Sequence, residues 1–192
     1  MQVPSLEDIY EARCARGSDI HQHLPRLRRE ASIPAVRVLE LGVRSGNSTA
    51  AFLAAADEWG GSVVSVDIVT PTVPPEFWTC GRWAFHKGSD LDLRPTLDGP
   101  WDVLFIDTSH HYQHTLDELR AYANTVVADG CILLHDTELR TPEDVPATDP
   151  DFPVRAAIDL WLSENTEWDA EFVSGCYGLA VLRRSTGVLI AA

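Results

Sequence analysis

Two aspartates and a histidine have side-chain types and a spacing that could do chemistry together. Asp107 and Asp136 each follow a nearly continuous apolar run, 101–106 and 131–134, and His110 comes three residues after Asp107. Carboxylates at the carboxyl ends of neighbouring parallel strands face one crevice. Two adjacent carboxylates share a proton, pair with a cation, or bind a hard divalent metal ion such as Mg²⁺ through oxygen.

His110 adds a group that could move a proton in the same crevice. It stands where the predicted strand feeds the next helix, so its imidazole can overhang the crevice. An imidazole with an unperturbed pKa of about 6.5 suits removal of a proton from a substrate hydroxyl or amine. The alternative is a surface or capping histidine at a helix start, and the residues alone leave both interpretations open.

A second motif lies near the amino terminus, where Glu40, Gly42 and Gly46 follow a short apolar run. Glycines let the backbone approach a ligand and adopt positive φ, and the helix that follows presents its amino terminus to a carboxylate. Asp67, one strand–helix unit later, is placed to accept hydrogen bonds from two ribose hydroxyls. The G-x-G-x-x-G fingerprint of dinucleotide binding is absent. The pattern favours a different nucleoside-bearing ligand over a plain tight turn.

The elements that must position these residues alternate between strands and helices. The strands are short apolar runs, predicted at 35–41, 62–67, 83–86, 101–107, 131–136, 168–174 and 178–184. Helical spacing predicts one or two helices within 5–32 and further helices at 47–56, 116–126 and 154–162. The acids Glu40, Asp67, Asp107 and Asp136 all fall at carboxyl ends of strands, where ligands of such sheets bind.

These elements predict an α/β fold, a Rossmann-like doubly wound sheet. The sheet is mostly parallel, and the short connection at 175–177 makes its last two strands an antiparallel hairpin. We expect one domain over 1–192, with an N-terminal helical cap at 1–33. The acidic, proline-rich stretch 137–153 is predicted to be a loop over the carboxyl edge; a lid that orders on substrate binding and plain disorder both remain open.

Composition restricts the partners. The 192 residues carry a formal net charge of −14, which disfavours nucleic acid and anionic membranes and favours a small or neutral substrate. The four widely separated cysteines indicate reduced thiols and a cytoplasmic protein, and we find neither a leader segment nor a membrane span. His21 and His23 point apart on a presumed helix, which indicates solvated histidines rather than a metal site.

The segments ELGVRSGNST, FIDTSHHY and LLHDT resemble those of compact class I S-adenosylmethionine (SAM)-dependent methyltransferases. The resemblance implies the strand order 3-2-1-4-5-7-6 and a SAM site, with Ser89 and Asp90 on the adenine side. Most members carry glycine where Arg44 stands, so the loop could take another path and Arg44 could meet a carboxylate of cofactor or substrate. The implied cofactor-binding residues are Glu40, Gly42, Arg44, Gly46, Asn47, Ser48, Asp67, Ser89, Asp90 and Asp107.

Metal-dependent O-methyltransferases, which this chain also resembles, place metal-binding acids at the same two strand ends. The resemblance implies Mg²⁺ at Asp107 and Asp136, with His135 or Thr137 as third ligand. The alternative has no metal, with Asp107 bonded to the SAM amino group and Asp136 capping a turn. The catechol-type enzymes carry a catalytic lysine at the position of His110, so the comparison implies His110 as a substituted base.

The leading hypothesis is methyl transfer from SAM to an oxygen or nitrogen of a small-molecule acceptor, with His110 and Asp107 as catalytic residues. One alternative is a non-catalytic SAM-fold binding module in a biosynthetic complex. Another is an oxidoreductase or hydrolase, against which the missing G-x-G-x-x-G and G-x-S-x-G motifs count. A homodimer through the N-terminal helices is a further hypothesis.

Overall fold

The structure is a computed structural model that describes residues 3–97, 99–140 and 150–185. Seven α-helices lie in these ranges: α1 (Leu6–Ala15), α2 (Leu24–Ala31), α3 (Asn47–Trp59), α4 (Pro75–Thr79), α5 (Asp90–Leu93), α6 (Tyr112–Tyr122) and α7 (Pro153–Glu164). Seven strands accompany them: β1 (Arg37–Leu41), β2 (Ser62–Asp67), β3 (Trp83–Lys87), β4 (Trp101–Ile106), β5 (Val126–His135), β6 (Trp168–Val173) and β7 (Leu179–Arg184).

The strands form one sheet in the order β3-β2-β1-β4-β5-β7-β6. The first five are parallel, and β7 runs antiparallel to both β5 and β6. This arrangement confirms the predicted Rossmann-like fold with its C-terminal antiparallel hairpin. The parallel pairs need crossover connections, which the helices between them supply.

Apolar residues cover both faces of the sheet because successive side chains of a strand point to opposite sides. In β1, Val38 packs in a core with Leu24, Leu27 and Phe52 of the helices on one face. Leu39 packs in a second core with residues of α6 and α7 on the other face. Burial on both sides explains why the central strands are continuous apolar runs.

The register of the parallel strands brings their carboxyl ends to one edge of the sheet. Leu41 of β1 pairs with Val66 of β2 and with Ile106 of β4. Ile106 in turn pairs with Leu134 of β5. The residues that follow these strands therefore lie side by side at this edge of the sheet.

Two predicted boundaries are wrong. Helix α6 ends at Tyr122, and β5 begins at Val126, five residues before its predicted start at Cys131. Val126 pairs with Trp101, and the register then shifts before Val103. Gly130 sits in this irregular stretch, where an added Cβ would come 2.6 Å from the carbonyl oxygen of Asp102. The glycine therefore allows close approach of two strands and does not stop a helix.

The predicted N-terminal helices are present as α1 and α2, and both pack in the first core. Ser5 caps α1 in a reciprocal pair with Asp8. Within the described ranges, none of the helices is long and apolar enough to cross a membrane. Most of the acidic stretch 137–153 predicted as a loop, namely residues 141–149, lies outside the described residues, as do residues 1–2 of the predicted cap.

Candidate functional site

A cleft of about 1100 Å³ opens at the carboxyl edge of the parallel strands. Its size is at the upper end of the usual range for small-molecule sites. The charged side chains on its described wall are mostly carboxylates. They are Asp19, Asp67, Asp90, Asp107, Asp117 and Asp136, accompanied by Arg44.

The turn after β1 forms one wall of the cleft and depends on glycine at two positions. Gly42 has a φ of 90°, and a Cβ there would overlap the carbonyl oxygen of Asp107. Gly46 has a φ of 73°, and a Cβ there would come 2.7 Å from the side chain of Val73. Gly42 lines the cleft, whereas Gly46 is buried beside Val73 and Phe77. Of the two glycines, Gly42 is therefore the one in position to bring backbone to a ligand.

Glu40 lies beneath this turn rather than on the cleft wall. Its carboxylate is fully buried and accepts hydrogen bonds from the hydroxyls of Ser48 at 2.6 Å, Thr49 at 2.8 Å and Ser65. Burial raises the pKa of Glu40 to about 7, although these three hydroxyls oppose the shift. We therefore revise its predicted role from cofactor ligand to support of the turn, because its acceptor atoms face inward.

Helix α3 begins at Asn47, as predicted. The residue that precedes it is Gly46, with no side-chain cap bond. Ser48 is buried and its hydroxyl points to Glu40, and Asn47 lines a smaller pocket next to the main cleft. The structure thus leaves Gly46, Asn47 and Ser48 off the wall of the main cleft.

Asp67, at the end of β2, lies on the cleft wall and organises two loops. Its Oδ2 atom accepts hydrogen bonds from the backbone amides of Val43 at 2.9 Å and Arg44 at 3.0 Å. Its Oδ1 atom accepts one from the amide of Val69 at 2.8 Å. A carboxylate offers about four acceptor positions, so Asp67 retains capacity for a ligand hydroxyl in the cleft.

Arg44 has left-handed backbone geometry, with a φ of 52°, and its side chain is 81% exposed. Its guanidinium donates to the carboxylate of Asp19 at the cleft wall. A non-glycine residue therefore carries the positive φ at this position of the loop. The carboxylate that holds the side chain belongs to this chain, so a contact between Arg44 and a carboxylate of cofactor or substrate stays a prediction.

Asp107, His110 and Asp136 meet next to the turn after β1, and all three line the same cleft. The Nε2 atom of His110 lies 3.3 Å from Oδ1 of Asp107 and 2.8 Å from Oδ2 of Asp136. One donor atom from each of these residues falls within 4.8 Å of the others. His110 and Asp136 also have positive φ values of 58° and 62°. Non-glycine residues held at positive φ are a feature of functional sites.

His135 approaches the same carboxylates from behind. Its Nδ1 atom is buried and lies 3.1 Å from Oδ2 of Asp136, but it makes no well-aligned hydrogen bond with the described residues. Its Nε2 atom lies 2.7 Å from the carbonyl oxygen of Cys176. Thr137 is buried against the turn at Gly178. His110 rather than His135 or Thr137 therefore completes the compact group of three donors.

The four charged groups titrate together. Burial would lower the pKa of His110, but hydrogen bonds and charges from Asp107 and Asp136 outweigh it and raise this pKa to about 9. The same balance raises the pKa of His135 to about 10. Burial would raise the pKa of Asp107, yet the two histidines bring it below its usual range. Pairing with the two carboxylates therefore favours the imidazolium form of both histidines.

On the predicted adenine side, Asp90 contacts a histidine that the sequence analysis did not single out. Ser89 caps α5, and both Ser89 and Asp90 line the cleft. Asp90 is buried, and its Oδ1 atom lies 3.3 Å from Nε2 of His114. Glu118, one helical turn after His114, is fully buried beside them. We did not predict a role for His114 or Glu118, although a His–Glu pair four residues apart on one helix face is a recognisable pattern.

His23, which the sequence analysis placed in solvent, is buried, and its Nε2 atom lies 2.6 Å from the carbonyl oxygen of Gly175.

Comparison with known families gives one match, and it covers the cleft. Residues 39–137 match the model of a family described as a methyltransferase domain. No curated protein sequence matches the chain.

Solved structures share the fold at low identity. A SAH-bound methyltransferase from Podospora anserina is 18% identical, with a TM-score of 0.64 over 95% of this chain and 89% of the other. A Staphylococcus aureus protein assigned as a caffeoyl-CoA O-methyltransferase is 15% identical, with a TM-score of 0.67 over 95% of this chain and 93% of the other. The MycE methyltransferase of the mycinamycin biosynthetic pathway, solved with Mg and SAH, is 16% identical, with a TM-score of 0.62 over 96% of this chain and 55% of the other.

Proposed function

The chain belongs to the methyltransferase-domain family and is a SAM-dependent methyltransferase, and on that premise we propose that it methylates an oxygen or nitrogen of a small-molecule acceptor. One observation carries the proposal. A single cleft holds both Asp67 and the group of Asp107, His110 and Asp136. The first suits a nucleoside, and the second suits an acceptor that must lose a proton.

In this proposal the cofactor would lie in the cleft beside these groups. Asp67 would accept a hydrogen bond from a ribose hydroxyl at its remaining acceptor position, the backbone at Gly42 would approach the methionine part, and Asp107 would accept a hydrogen bond from its amino group. The acidic lining also favours a cofactor with a positively charged sulfonium, because a negative potential in a cleft concentrates cations. Ser89 and Asp90 stand on the side proposed for adenine.

The transfer itself is an in-line displacement, in which the acceptor oxygen or nitrogen bonds to the methyl carbon as the sulfur–carbon bond breaks. The sulfonium supplies the reactivity, and the protein supplies proximity and orientation. The acceptor must also lose its proton, and His110 stands in the cleft to exchange it. While His110 is paired with Asp107 and Asp136, its pKa of about 9 keeps the imidazole protonated at neutral pH. His110 can therefore act as a base only when its interaction with these carboxylates is weakened, for example by a cation bound to them.

The donor set at this wall fits a divalent cation. The carboxylates of Asp107 and Asp136 each place an oxygen atom within 4.8 Å of the other, so two oxygen ligands are available without using His110, the proposed base. Asp107 and Asp136 would hold Mg²⁺, which prefers carboxylate oxygen and keeps several waters. A bound cation supplies Lewis-acid stabilisation of an acceptor oxygen as it loses its proton. The Mg-bound MycE structure supports testing this ion first.

The acceptor side of the cleft is open and partly apolar. Tyr177 is 52% exposed at its wall, and Ile68 and Val69 are exposed on the loop after β2. Apolar surface of this kind is suited to an organic acceptor, and the carboxylates around it repel a phosphate backbone. MycE has been solved with mycinamycin VI, a small-molecule ligand of that protein. These features support a small-molecule acceptor over nucleic acid.

Calorimetric titration of the full chain with S-adenosylhomocysteine tests the cofactor site. We expect binding in the micromolar range, and no binding of NAD under the same conditions. Repeating the titration with Mg²⁺ and then with EDTA tests whether a cation binds at Asp107. A bound cation would change the charge next to the amino group of S-adenosylhomocysteine and therefore the affinity for this ligand. Absence of S-adenosylhomocysteine binding under all conditions would overturn the proposal, and equal binding with Mg²⁺ and EDTA would remove its metal part.

A further inference from the structure

A second group of metal-type donors stands beside the same cleft and shares no residue with the group of Asp107, His110 and Asp136. The Nε2 atom of His114 is 3.3 Å from Oδ1 of Asp90 and 3.7 Å from Oε1 of Glu118. One donor atom from each residue lies within 4.8 Å of the others. Asp90 starts α5, and the other two residues stand four apart on α6, so the group spans two elements.

Two oxygen atoms of this group lack a hydrogen-bond donor. Oδ2 of Asp90 and Oε2 of Glu118 are buried and accept no hydrogen bond from the described part of the chain. The side chain of Glu118 is fully buried and that of Asp90 is 9% exposed, so neither carboxylate has bulk water to compensate. Thr108 donates to Glu118 through its hydroxyl at 2.9 Å, which occupies only Oε1. Buried polar atoms without partners call for an unseen proton, ion or water.

The distances fit a cation better than direct ion pairs. Separations of 3.3 and 3.7 Å are longer than the usual N–H to oxygen hydrogen bond, whose length is about 2.7–3.2 Å. A tetrahedral zinc site with metal–ligand bonds of about 2.0–2.1 Å places its donor atoms about 3.3 Å apart. A nitrogen and two carboxylate oxygens are also a donor set that zinc accepts.

We propose that Asp90, His114 and Glu118 bind a divalent cation of the zinc class, with its fourth coordination position open to the cleft. The cation brings positive charge to two buried carboxylates and occupies the free lone pairs of both. The side chain of His114 is 27% exposed, and Asp90 and His114 both line the cleft, so an ion can enter from that side. The carboxylate of Asp90 is then committed to the ion, and Ser89 is left as the polar side chain for the adenine end.

A proton shared between Asp90 and Glu118 is the competing arrangement. Burial, together with the neighbouring charge of Asp90, raises the pKa of Glu118 well above its usual range. A shared proton would satisfy one of the two free oxygens and would give the group no affinity for a metal. The two arrangements therefore differ in a measurable binding event that requires neither cofactor nor turnover.

The experiment is calorimetric titration of chelator-treated full chain with Zn²⁺ alone. Asp136→Asn first removes a carboxylate from the other donor group, and this variant is expected to keep one zinc equivalent. Adding His114→Gln to it should weaken zinc binding about tenfold or more, since even an outer-shell change costs about 10–100-fold in metal affinity. Adding His86→Gln instead replaces an exposed histidine of β3 and should leave the affinity unchanged.

Circular dichroism on the same samples checks that each variant is folded. Glu118→Gln, added to Asp136→Asn, is a second test of the site, and His114→Gln, at a partly exposed position, decides the result if this buried substitution prevents folding. Co²⁺ in place of Zn²⁺ provides an independent signal, because its visible absorption changes when the histidine ligand is lost. The proposal is overturned if Asp136→Asn binds no zinc. It is equally overturned if His114→Gln changes neither the zinc affinity nor the Co²⁺ spectrum.

Discussion

The Nε2 atom of His110 lies 2.8 Å from Oδ2 of Asp136, although the two residues stand 26 positions apart in the sequence. This contact joins the loop after β4 to the end of the neighbouring strand β5 at the cleft wall. Both residues have positive φ, so the backbone is held in an uncommon conformation on each side of the contact. Geometry that is maintained against local preference points to a chemical role for the pair.

Replacing His110 by Gln is expected to lower turnover without changing cofactor affinity. Positioned proton transfer contributes about 10²–10⁴-fold to rate, and glutamine keeps a polar side chain that cannot exchange the proton. Single-turnover kinetics together with S-adenosylhomocysteine titration measure the two effects separately. His86→Gln, at an exposed position on β3, is the matched control. Full turnover in the His110 variant would exclude the histidine from the chemistry.

Replacing Asp67 by Ala is expected to weaken S-adenosylhomocysteine binding by about tenfold or more, since about 1.4 kcal/mol corresponds to tenfold and a ribose hydrogen bond to a charged acceptor is worth about 1.5–3 kcal/mol. The same change removes the acceptor for the amides of Val43, Arg44 and Val69, which loosens the cleft wall. Calorimetry measures the affinity. Asp57→Ala, at an exposed position on α3, is the control, and unchanged affinity in Asp67→Ala would contradict the proposed ribose site.

The fold and part of the site were predictable because their signals are local. Runs such as 101–106 are apolar on both faces and end in an acid, which locates both the strand and Asp107. The roles of Glu40 and Asp90 were not predictable in this way. Glu40 is turned inward by Ser65, whose hydroxyl is itself held by the indole N–H of Trp83 at 2.8 Å, and such contacts depend on the register between strands. Asp90 meets His114 only once α5 and α6 are packed.

Replacing Gly42 by Ala is expected to abolish cofactor binding and to destabilise the fold by more than about 3 kcal/mol. Alanine strains a backbone with a φ of 90° by about 1–3 kcal/mol, and its Cβ also overlaps the carbonyl oxygen of Asp107. Gly60→Ala separates the two effects, because Gly60 has a φ of 79° with no atom within 4 Å of an added Cβ. Urea unfolding measures both variants. Equal losses of stability would show that the contact with Asp107 contributes nothing.

Glu40 connects the site to the pH dependence of stability. Its pKa is raised from 4.5 to about 7 in the folded chain, chiefly by burial. A group whose pKa is higher in the folded state contributes stability that is present below its unfolded pKa and lost as the pH rises through its folded pKa. The contribution of Glu40 is therefore complete below about pH 4.5 and lost by about pH 7. Glutamine has a similar shape and does not ionise.

We therefore expect the stability of Glu40→Gln, relative to the unsubstituted chain, to increase between about pH 5 and about pH 8 by on the order of 3 kcal/mol. Taking the difference between the two proteins cancels the titration of His110, His135 and the other groups that both contain. Urea unfolding at the two pH values provides the four free energies, and Glu11→Gln, at an exposed position on α1, controls for loss of one carboxylate. A difference that stays constant with pH would mean that Glu40 is already ionised beneath the turn. In that case the hydroxyls of Ser48, Thr49 and Ser65, and not desolvation, would determine its charge state.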